Sequence, residues 1–208
     1  MNQDFYLEFE NKFRGDRSSI IKKFSCYDKL IELTIENIDV PKFIDIGCGR
    51  GEWLEKWKNR VPDSLGIECD PTMAGLCRTR GLNIIQGDAI DSLKTISTSS
   101  INVITIFHLI EHLEHKKIIN LLSECYRVLN DSGLLIIETP SIDNLQVSTR
   151  TFHVDPTHIN PINPDLVSYS LKYSGFFDAR CFYINGSEKD ETQDNHTGLI
   201  NLYKSVAQ

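Results

Sequence analysis

The spacing of apolar residues changes near residue 42, and this change divides the chain into two parts. In the first part the apolar residues recur at helical spacing, as Phe5, Phe9, Phe13, Ile20, Ile21 and Phe24 do. Gly15 interrupts this series, so we expect separate helices on its two sides. The pattern predicts an N-terminal helical segment over residues 1–40 and a larger domain over residues 41–208.

Beyond residue 42, short apolar runs alternate with stretches of helical spacing. The runs that we predict as strands cover residues 43–46, 64–67, 83–85, 101–107 and 134–137. An apolar stripe of Ile118, Leu122, Cys125 and Leu129 predicts a helix before the last of them, with a turn at residues 130–133. This alternation is typical of a doubly wound α/β sheet, with parallel strands, right-handed crossovers and helices on both faces.

The alternation stops after Pro140. Residues 141–165 are rich in Asn, Pro, Thr, His and Asp and have no clear period. We predict a long loop here, and loops of this length inside a compact domain are usually functional or disordered. Two further strands are predicted over residues 180–184 and 199–205, with an exposed polar loop over residues 185–198 between them.

Glycines at every second position follow the first predicted strand. Gly47, Gly49 and Gly51 stand between that strand and a helix, where glycine allows a tight turn and a close approach of the backbone to a ligand. The spacing G-x-G-x-G differs from the G-x-G-x-x-G of dinucleotide sites. Taken alone, the pattern also fits an ordinary tight turn.

Acidic residues follow the second and third predicted strands. A carboxylate at Glu68 is placed to accept both hydroxyls of a ribose. Asp70, followed by Pro71, is more typical of a helix N-cap than of a ligand. Asp88 is placed to accept a hydrogen bond from an exocyclic amine, with the Ala89 N–H reaching a ring nitrogen. Each acid also fits a plain loop position, but three such features after three successive strands rarely arise by chance.

The segments FIDIGCGRGEWLE, GIECDPTM, IIQGDAI and VLNDSGLLIIETP, in this order, resemble the motifs of class I S-adenosylmethionine-dependent methyltransferases. The resemblance implies a mainly parallel, Rossmann-like sheet of seven strands with an antiparallel last strand. It also implies S-adenosyl-L-methionine as the cofactor, with the three glycines under its methionine part, Glu68 at the ribose, and Asp88 and Ala89 at the adenine. Other residues in and beside these motifs are expected at the cofactor as well: Asp45, Cys48, Trp53, Cys69, Met73, Gly87, Phe107 and His108.

Three further segments, FYLEFENKFRGDR, FHLIEHL and FHVDPTHINPINPDLV, resemble the methyltransferase domain of bacterial O-antigen chain terminators, the WbdD-like family. That family caps a growing lipopolysaccharide chain by methylation, in some members on a phosphate added by a fused kinase. The 208 residues leave no room for a kinase, so we expect a phosphate acceptor only if this is an excised domain or another enzyme supplies the phosphate.

The first of these segments contains Tyr6, Arg14 and Arg17. A guanidinium there is suited to clamp the carboxylate of the cofactor's methionine part, so we expect all three residues at the cofactor. A solvated helix face is the alternative.

The other two segments contain the candidates for chemistry. His108 follows the fourth strand and is expected to face the methyl group, as a neutral general base if the acceptor is a hydroxyl. A phosphate acceptor needs no base, and protonated histidine or arginine would hold it instead. Asp155 and His158 are expected to hold the acceptor, and a turn fixed by Pro156 is the alternative. We expect no metal, despite the H-x-D-x-x-H spacing, because methyl transfer does not require one.

The net charge of −7 and the pI near 5.4 argue against non-specific nucleic-acid binding. Six cysteines without a C-x-x-C pair suggest neither a zinc site nor a redox motif. The N-terminus has no signal-peptide pattern, and no apolar run approaches the roughly 20 residues of a membrane span, so we expect a cytoplasmic protein.

We therefore expect residues 41–208 to form the catalytic domain of an O-methyltransferase. Its acceptor would be the terminal sugar, or a terminal phosphate, of a bacterial O-antigen or related surface glycan, and a glycosyltransferase or kinase is a candidate partner protein. The alternatives are an O-methyltransferase of a small metabolite, such as a quinone precursor, and a non-catalytic binding module on the same fold.

Overall fold

The computed structural model describes residues 3–184 and 197–203. The side chains of residues 3, 4, 6 and 197–203 lie outside this description, so the prediction for Tyr6 falls outside it too. Residues 185–196 of the predicted polar loop and residues 204–205 of the last predicted strand are likewise not part of the described chain. None of the helices within the described ranges is long and apolar enough to cross a membrane.

The N-terminal segment forms the predicted helices. They are α1 (Gln3–Phe13), α2 (Arg17–Lys23) and α3 (Asp28–Ile35), with a 3-10 turn at Phe24–Tyr27 before α3. Gly15, with a φ of 97°, separates α1 from α2. Asp16 caps α2 by accepting a hydrogen bond from the Ser19 N–H at 3.0 Å.

The rest of the chain alternates between strand and helix. The strands are β1 (Phe43–Ile46), β2 (Leu65–Glu68), β3 (Asn83–Gln86), β4 (Ile101–Phe107), β5 (Leu129–Thr139), β6 (Asp178–Ile184) and β7 (Thr197–Tyr203). The helices are α4 (Glu52–Trp57), α5 (Pro71–Thr79), α6 (Ala89–Lys94), α7 (His115–Val128), α8 (Leu145–Thr149) and α9 (Pro164–Tyr173), with 3-10 turns at Ile110–His112 and Thr151–Val154. Asp70 caps α5 and Pro71 begins it, as predicted.

The strand order in the sheet is β3-β2-β1-β4-β5-β7-β6. The first five of these strands run parallel, and Ile46 of β1 aligns with Ile67 of β2 and Ile106 of β4. β7 pairs antiparallel with β5 and with β6, in agreement with the antiparallel last strand that the resemblance implies. Parallel pairing brings the carboxyl ends of five strands to one edge, which is where open α/β sheets bind their ligands.

Alternate residues of the central strands pack into cores on opposite faces of the sheet. Ile46, Ile106 and Ile137 belong to a core shared with α7 and α9. Phe43, Val103 and Ile136 belong to a core shared with α2, α3 and α4. Helices therefore cover both faces, as the alternation predicts.

The second of these cores contains an aromatic cluster that reaches the carboxyl edge of the sheet. Its rings come from Phe24, Tyr27, Trp53 and Phe107, with the centroid of Phe107 4.7 Å from that of Phe24 and 5.1 Å from that of Trp53. The aromatic cluster joins the N-terminal segment to the end of β4.

The predicted turn at residues 130–133 is wrong, because these residues belong to β5. Ile101 of β4 pairs with Leu129, whereas Val103 pairs with Leu134. The strand therefore contains extra residues relative to its neighbour, and they form an irregularity in the pairing. Sequence patterning shows polar residues and a glycine here, which are common to turns and bulges alike.

The single loop predicted over residues 141–165 is also wrong. It contains α8 and the 3-10 turn Thr151–Val154, and α9 begins near its end. Asn144 and Asn163 start the two helices by accepting hydrogen bonds from backbone N–H groups two residues on, at 2.9 and 2.8 Å. With five residues, α8 is too short to show an apolar period.

Gly66 in β2 and Gly75 in α5 form a matched pair for testing the packing of the sheet. A Cβ atom at Gly66 would lie 2.6 Å from Ile84 Cδ1 and 2.7 Å from Cys48 Sγ, whereas one at Gly75 would meet nothing within 4 Å. We expect Gly66→Ala to lower the free energy of unfolding by about 1–3 kcal/mol through overpacking. Gly75→Ala should raise it by about 0.5–1 kcal/mol, because alanine loses less conformational entropy in a helix. Urea denaturation measures both, and changes of the same sign would contradict this packing.

Candidate functional site

The loop that follows β1 lies at the carboxyl edge of the sheet. Its three glycines, Gly47, Gly49 and Gly51, have positive φ values of 69°, 52° and 77°. A Cβ atom at Gly49 would come within 4 Å of Arg14 Nη1 alone among the described atoms, at 3.7 Å, so the Arg14 guanidinium lies over an open stretch of backbone. A Cβ at Gly51 would lie 2.5 Å from Leu82 Cδ1, so Gly51 permits close packing beneath the loop.

Glu68, at the end of β2, ties this glycine loop to the loop that follows β2. Its carboxylate accepts hydrogen bonds from the N–H groups of Gly49 and Asp70, both at 2.8 Å. Burial raises the pKa of Glu68, and these two hydrogen bonds oppose the rise. Each carboxylate oxygen has two lone pairs, so Glu68 keeps the capacity to accept hydrogen bonds from the hydroxyls of a ligand.

A cavity of about 420 Å³, the first cavity, opens over these loops. Its wall contains many of the residues predicted at the cofactor: Arg14, Gly47, Gly49, Glu68, Cys69, Met73, Gly87, Asp88, Ala89, Phe107 and His108. Asp88 also caps α6, because its Oδ1 accepts from the Ile90 N–H at 2.9 Å. The cap uses Oδ1, so Oδ2 keeps its acceptor capacity.

Other residues predicted at the cofactor lie behind this wall. Asp45 is buried within β1, and Cys48 packs against Leu54 and Gly66. Trp53 belongs to the aromatic cluster. Asp45, Cys48, Gly51 and Trp53 are not among the residues that line the first cavity, and their predicted contacts with the cofactor stay predictions.

Arg14 and Arg17 have different surroundings, although both were predicted at the cofactor. Arg14 borders the first cavity and pairs with Glu10 at 3.2 Å. Arg17 donates to the Arg50 carbonyl oxygen at 2.7 Å and pairs with Glu52 at 3.1 Å. Arg17 thus fastens α2 to the start of α4, and its predicted contact with the cofactor stays untested.

A second cavity, of about 520 Å³, adjoins the first. Glu10, Arg14, His108 and His112 border both cavities. The rest of the second wall consists of Phe9, Phe13, Ile20, Lys23, Phe24, Glu138, Thr151, Val154, Asp155 and His158. The structure therefore places the predicted acceptor residues Asp155 and His158 in the second cavity, with His108 at the boundary between the two.

His108 lies between two buried carboxylates. Its Nδ1 is 3.3 Å from Glu111 Oε1, and its Nε2 is 3.4 Å from Glu138 Oε1. Burial lowers the pKa of His108, but the two carboxylates outweigh burial and raise the pKa to about 9. At this pKa the imidazole carries a proton at neutral pH, so His108 has the protonated form of the two that the sequence left open.

Glu111, Glu138 and Tyr27 complete this network, and none of them was among the predicted site residues. Glu111 accepts a hydrogen bond from Thr139 Oγ1 at 3.0 Å, and Glu138 accepts one from the Tyr27 hydroxyl. Burial raises the pKa of each carboxyl, but contact with His108 more than offsets it, so both pKa values lie below the usual range. Glu138 could have been found from the sequence, because it is an acidic residue inside the apolar run LLIIETP and a carboxylate on a buried strand requires a partner.

Known proteins resemble this chain in both sequence and structure. The family model described as "Methyltransferase domain" matches residues 19–176. The chain belongs to this methyltransferase family. A protein of Mycobacterium tuberculosis named "Probable S-adenosylmethionine-dependent methyltransferase" is 27% identical to this methyltransferase domain over 158 residues. These residues are 76% of this chain but 57% of that relative, so the chain spans little more than half of its length.

Solved structures show the same architecture. A SAM-dependent methyltransferase from Archaeoglobus fulgidus superimposes with a TM-score of 0.83 at 27% identity, covering 96% of this chain and 100% of that one. Phosphoethanolamine N-methyltransferase 2 of Haemonchus contortus, in complex with S-adenosyl-L-methionine, has a TM-score of 0.66 at 13% identity, covering 96% of this chain and 60% of that one. The methyltransferase domain thus has the predicted Rossmann-like α/β fold, and its cofactor is S-adenosylmethionine.

Arg14 and Arg17 allow a paired test of which guanidinium contacts the cofactor of this methyltransferase domain. We expect Arg14→Ala to weaken S-adenosylmethionine binding by about 1.5–3 kcal/mol, the usual contribution of a hydrogen bond to a charged group. Arg17→Ala should leave the affinity unchanged and lower the melting temperature, because it detaches α2 from α4. Calorimetric titration and thermal unfolding measure the two effects. Equal losses of cofactor affinity in both variants would contradict the conclusion that Arg14, and not Arg17, contacts the cofactor.

The burial of Asp45 behind the wall of the first cavity can be tested through the pH dependence of the free energy of unfolding. Asp45 accepts a hydrogen bond from Thr105 Oγ1 at 2.7 Å. Burial raises the pKa of Asp45 from 3.8 to about 7, although Thr105 and Arg14 oppose the rise. Between pH 3.8 and about 7 the Asp45 carboxyl is ionised in the unfolded chain but keeps its proton in the folded chain. The contribution of protonated Asp45 to the free energy of unfolding is therefore full at low pH and is lost as the pH rises towards 7.

We therefore expect the free energy of unfolding of the wild type to fall, relative to that of Asp45→Asn, as the pH rises through this window. Each unit by which the folded pKa exceeds the ordinary one corresponds to about 1.4 kcal/mol. Asparagine keeps an acceptor for Thr105 and has no proton to lose, so other titrating groups cancel in the comparison. Urea denaturation of the ligand-free proteins at several pH values gives the difference, and parallel curves would show that Asp45 has an ordinary pKa.

Proposed function

We propose that this domain transfers the methyl group of S-adenosylmethionine to a hydroxyl oxygen on the terminal sugar of a bacterial O-antigen or a related surface glycan. The observation that carries the proposal is the arrangement of two adjoining cavities, which share His108 and His112 in their walls. A cofactor bound in the first cavity, over Gly49 and beside Glu68, would direct its methyl group towards an acceptor in the second.

The charges around the second cavity favour a neutral acceptor over a phosphate. The carboxylates of Glu10, Glu138 and Asp155 border it, against the cations of Arg14 and Lys23. The further positive charge on the His108 imidazole is already held between two carboxylates. A phosphate would meet as much repulsion as attraction here, whereas sugar hydroxyls donate hydrogen bonds to carboxylates and accept them from cations.

Aromatic side chains give the same cavity an apolar surface. Phe9, Phe13 and Phe24 line it, and the ring centroids of Phe9 and Phe13 are 4.7 Å apart. The C–H faces of a sugar ring would be removed from water against such a surface. An acceptor with apolar faces and hydroxyl edges therefore matches the cavity.

The two outer segments that resemble WbdD-like chain terminators supply much of this wall. FYLEFENKFRGDR contributes Phe9, Phe13 and Arg14, and FHVDPTHINPINPDLV contributes Asp155 and His158. This placement supports a glycan acceptor, and we include in the proposal that residues 1–40 act as a cap over both cavities.

In the proposed reaction the acceptor oxygen forms a bond to the methyl carbon while the bond from that carbon to sulfur breaks. The electron pair of the broken bond stays on sulfur, which gives S-adenosylhomocysteine, and the hydroxyl proton leaves to water in the second cavity. His108 already carries a proton, so it acts as a fixed positive charge beside the acceptor rather than as the base. One contribution of the enzyme is the alignment of the two reactants.

The test is methyl transfer from radiolabelled S-adenosylmethionine onto a panel of glycan primers. The panel contains primers that end in a free sugar hydroxyl, the same primers with a terminal phosphate, and small quinone precursors. We expect label on hydroxyl-terminated primers, and no label with Gly49→Val, whose side chain would occupy cofactor space at a positive φ.

Other outcomes contradict parts of the proposal. Label on the phosphate-terminated primers alone would overturn the hydroxyl acceptor. Label on the quinone precursors alone would overturn the glycan acceptor. No transfer to any primer, with cofactor binding intact, would favour the binding-module alternative.

A further inference from the structure

Three potential metal ligands meet where the two cavities join. Glu111 and His112 lie in the 3-10 turn after β4, and His158 lies in the segment between β5 and α9. One ligand atom from each residue lies within 4.8 Å of the others. Ligand bonds to a zinc ion are about 2.0–2.2 Å long, so small side-chain rotations would bring all three atoms onto one ion.

His158 is held through one ring nitrogen, and its other nitrogen, Nε2, is 4.0 Å from Asp155 Oδ2. Its Nδ1 is 2.6 Å from the carbonyl oxygen of Phe152. A carbonyl oxygen only accepts, so Nδ1 carries the hydrogen and the lone pair of the neutral ring lies on Nε2. A ligand histidine in metalloproteins is usually held in this way, through a hydrogen bond from its other nitrogen.

His112 is held in the same way, through a hydroxyl. Its Nδ1 is 2.8 Å from Thr157 Oγ1, and this hydroxyl is 2.6 Å from Asp155 Oδ1. The Thr157 hydroxyl gives its one hydrogen to the carboxylate, so it accepts the hydrogen of His112 Nδ1. His112 therefore also presents the lone pair of Nε2, and the two imidazole centroids are 4.7 Å apart.

Glu111 brings a carboxylate to this pair and anchors the segment that carries His158. Its side chain is fully buried, and its oxygens contact Thr139 and His108 while each retains a further lone pair. Its backbone carbonyl oxygen accepts a hydrogen bond from the Ile159 N–H at 2.9 Å. The ligands are thus brought together by contacts that do not depend on any ion.

Although the sequence led us to expect no metal, from this geometry we propose that Glu111, His112 and His158 bind a divalent transition metal of the Zn²⁺ type at the junction of the two cavities. Two imidazole nitrogens and one carboxylate form a ligand set suited to such ions, and three protein ligands leave coordination positions open. His112 borders both cavities and His158 borders the second, so the open positions are available to an acceptor oxygen.

The metal would have a direct role in the proposed methyl transfer. A hydroxyl bound to a divalent ion loses its proton more readily, so the acceptor oxygen becomes a better nucleophile while the proton passes to water. This role rests on the proposed methyl transfer, but the binding of the metal does not. The two ideas can therefore be tested separately.

The first experiment measures metal binding without any acceptor. Untagged protein, stripped with EDTA, is titrated with Zn²⁺ by calorimetry and with Co²⁺ by visible absorption. We expect one ion per chain, in a 1:1 complex whose Co²⁺ spectrum shows nitrogen ligation. His112→Ala and His158→Ala should each weaken binding by about 100-fold, and Thr157→Val, which keeps all three ligands but frees His112, by about 10-fold.

The exposed His115, three residues from His112 at the start of α7, gives the matched control. His115→Ala should bind Zn²⁺ as the wild type does. Circular dichroism and S-adenosylmethionine titration show whether each variant is folded. Absence of a 1:1 complex in the wild type, or equal affinity in folded His112→Ala and His158→Ala, would overturn the metal site.

The second experiment measures methyl transfer to the best primer with EDTA and after adding back Zn²⁺ or Co²⁺. We expect EDTA to abolish transfer and either metal to restore it, without a change in cofactor affinity. Full transfer in EDTA by a protein that binds Zn²⁺ would overturn the role in acceptor activation. Zn²⁺ binding with no transfer to any primer would instead count against the proposed function and leave the metal site standing.

Discussion

The arrangement of both cavities depends on two buried carboxylates that share one imidazolium. Glu111 follows β4, Glu138 is the last residue but one of β5, and His108 lies between the two carboxylates. Two negative charges at the buried edge of a sheet are costly unless a positive charge compensates them, and His108 supplies it with an unusual backbone φ of 52°. Tyr27 extends the network to the N-terminal segment, and the Glu111 backbone extends it to the segment that carries His158. One electrostatic requirement thus joins four parts of the chain at one point.

Much of the fold follows from local sequence, because strands, caps and glycine turns involve neighbours along the chain. The alternation of apolar runs places β1 to β5, and Asp70 with Pro71 marks the start of α5. The network at His108 has no such local signal. Glu138 and Tyr27 are 111 residues apart, and their hydrogen bond forms because the aromatic cluster packs the N-terminal segment against the end of β4, where Phe107 pairs with Glu138 of β5. The glycine loop and the acids were therefore predictable, whereas the partners of His108 were not.

The two arginines of the N-terminal segment also show what sequence alone does not predict, here the direction in which a side chain points. Arg14 and Arg17 are three residues apart, are chemically identical, and both lie near the glycine loop. Their roles differ because Gly15 breaks the helix between them, so that one side chain points over Gly49 and the other reaches Glu52. A sequence pattern identifies the residue type suited to an anionic ligand. The direction of each side chain depends on a backbone turn and on the helix against which it packs.

The placement of α1 has a consequence for how the two substrates bind. Glu10 and Arg14 contribute to the walls of both cavities, so a shift of α1 changes the two sites together. If cofactor binding draws Arg14 towards the glycine loop, it also changes the shape of the second cavity, the proposed acceptor site, and the effect is reciprocal by thermodynamic linkage. The affinities for cofactor and acceptor are then coupled through a single helix. Such coupling favours an ordered sequence of binding, in which the empty acceptor site is incomplete until the methyl donor is in place.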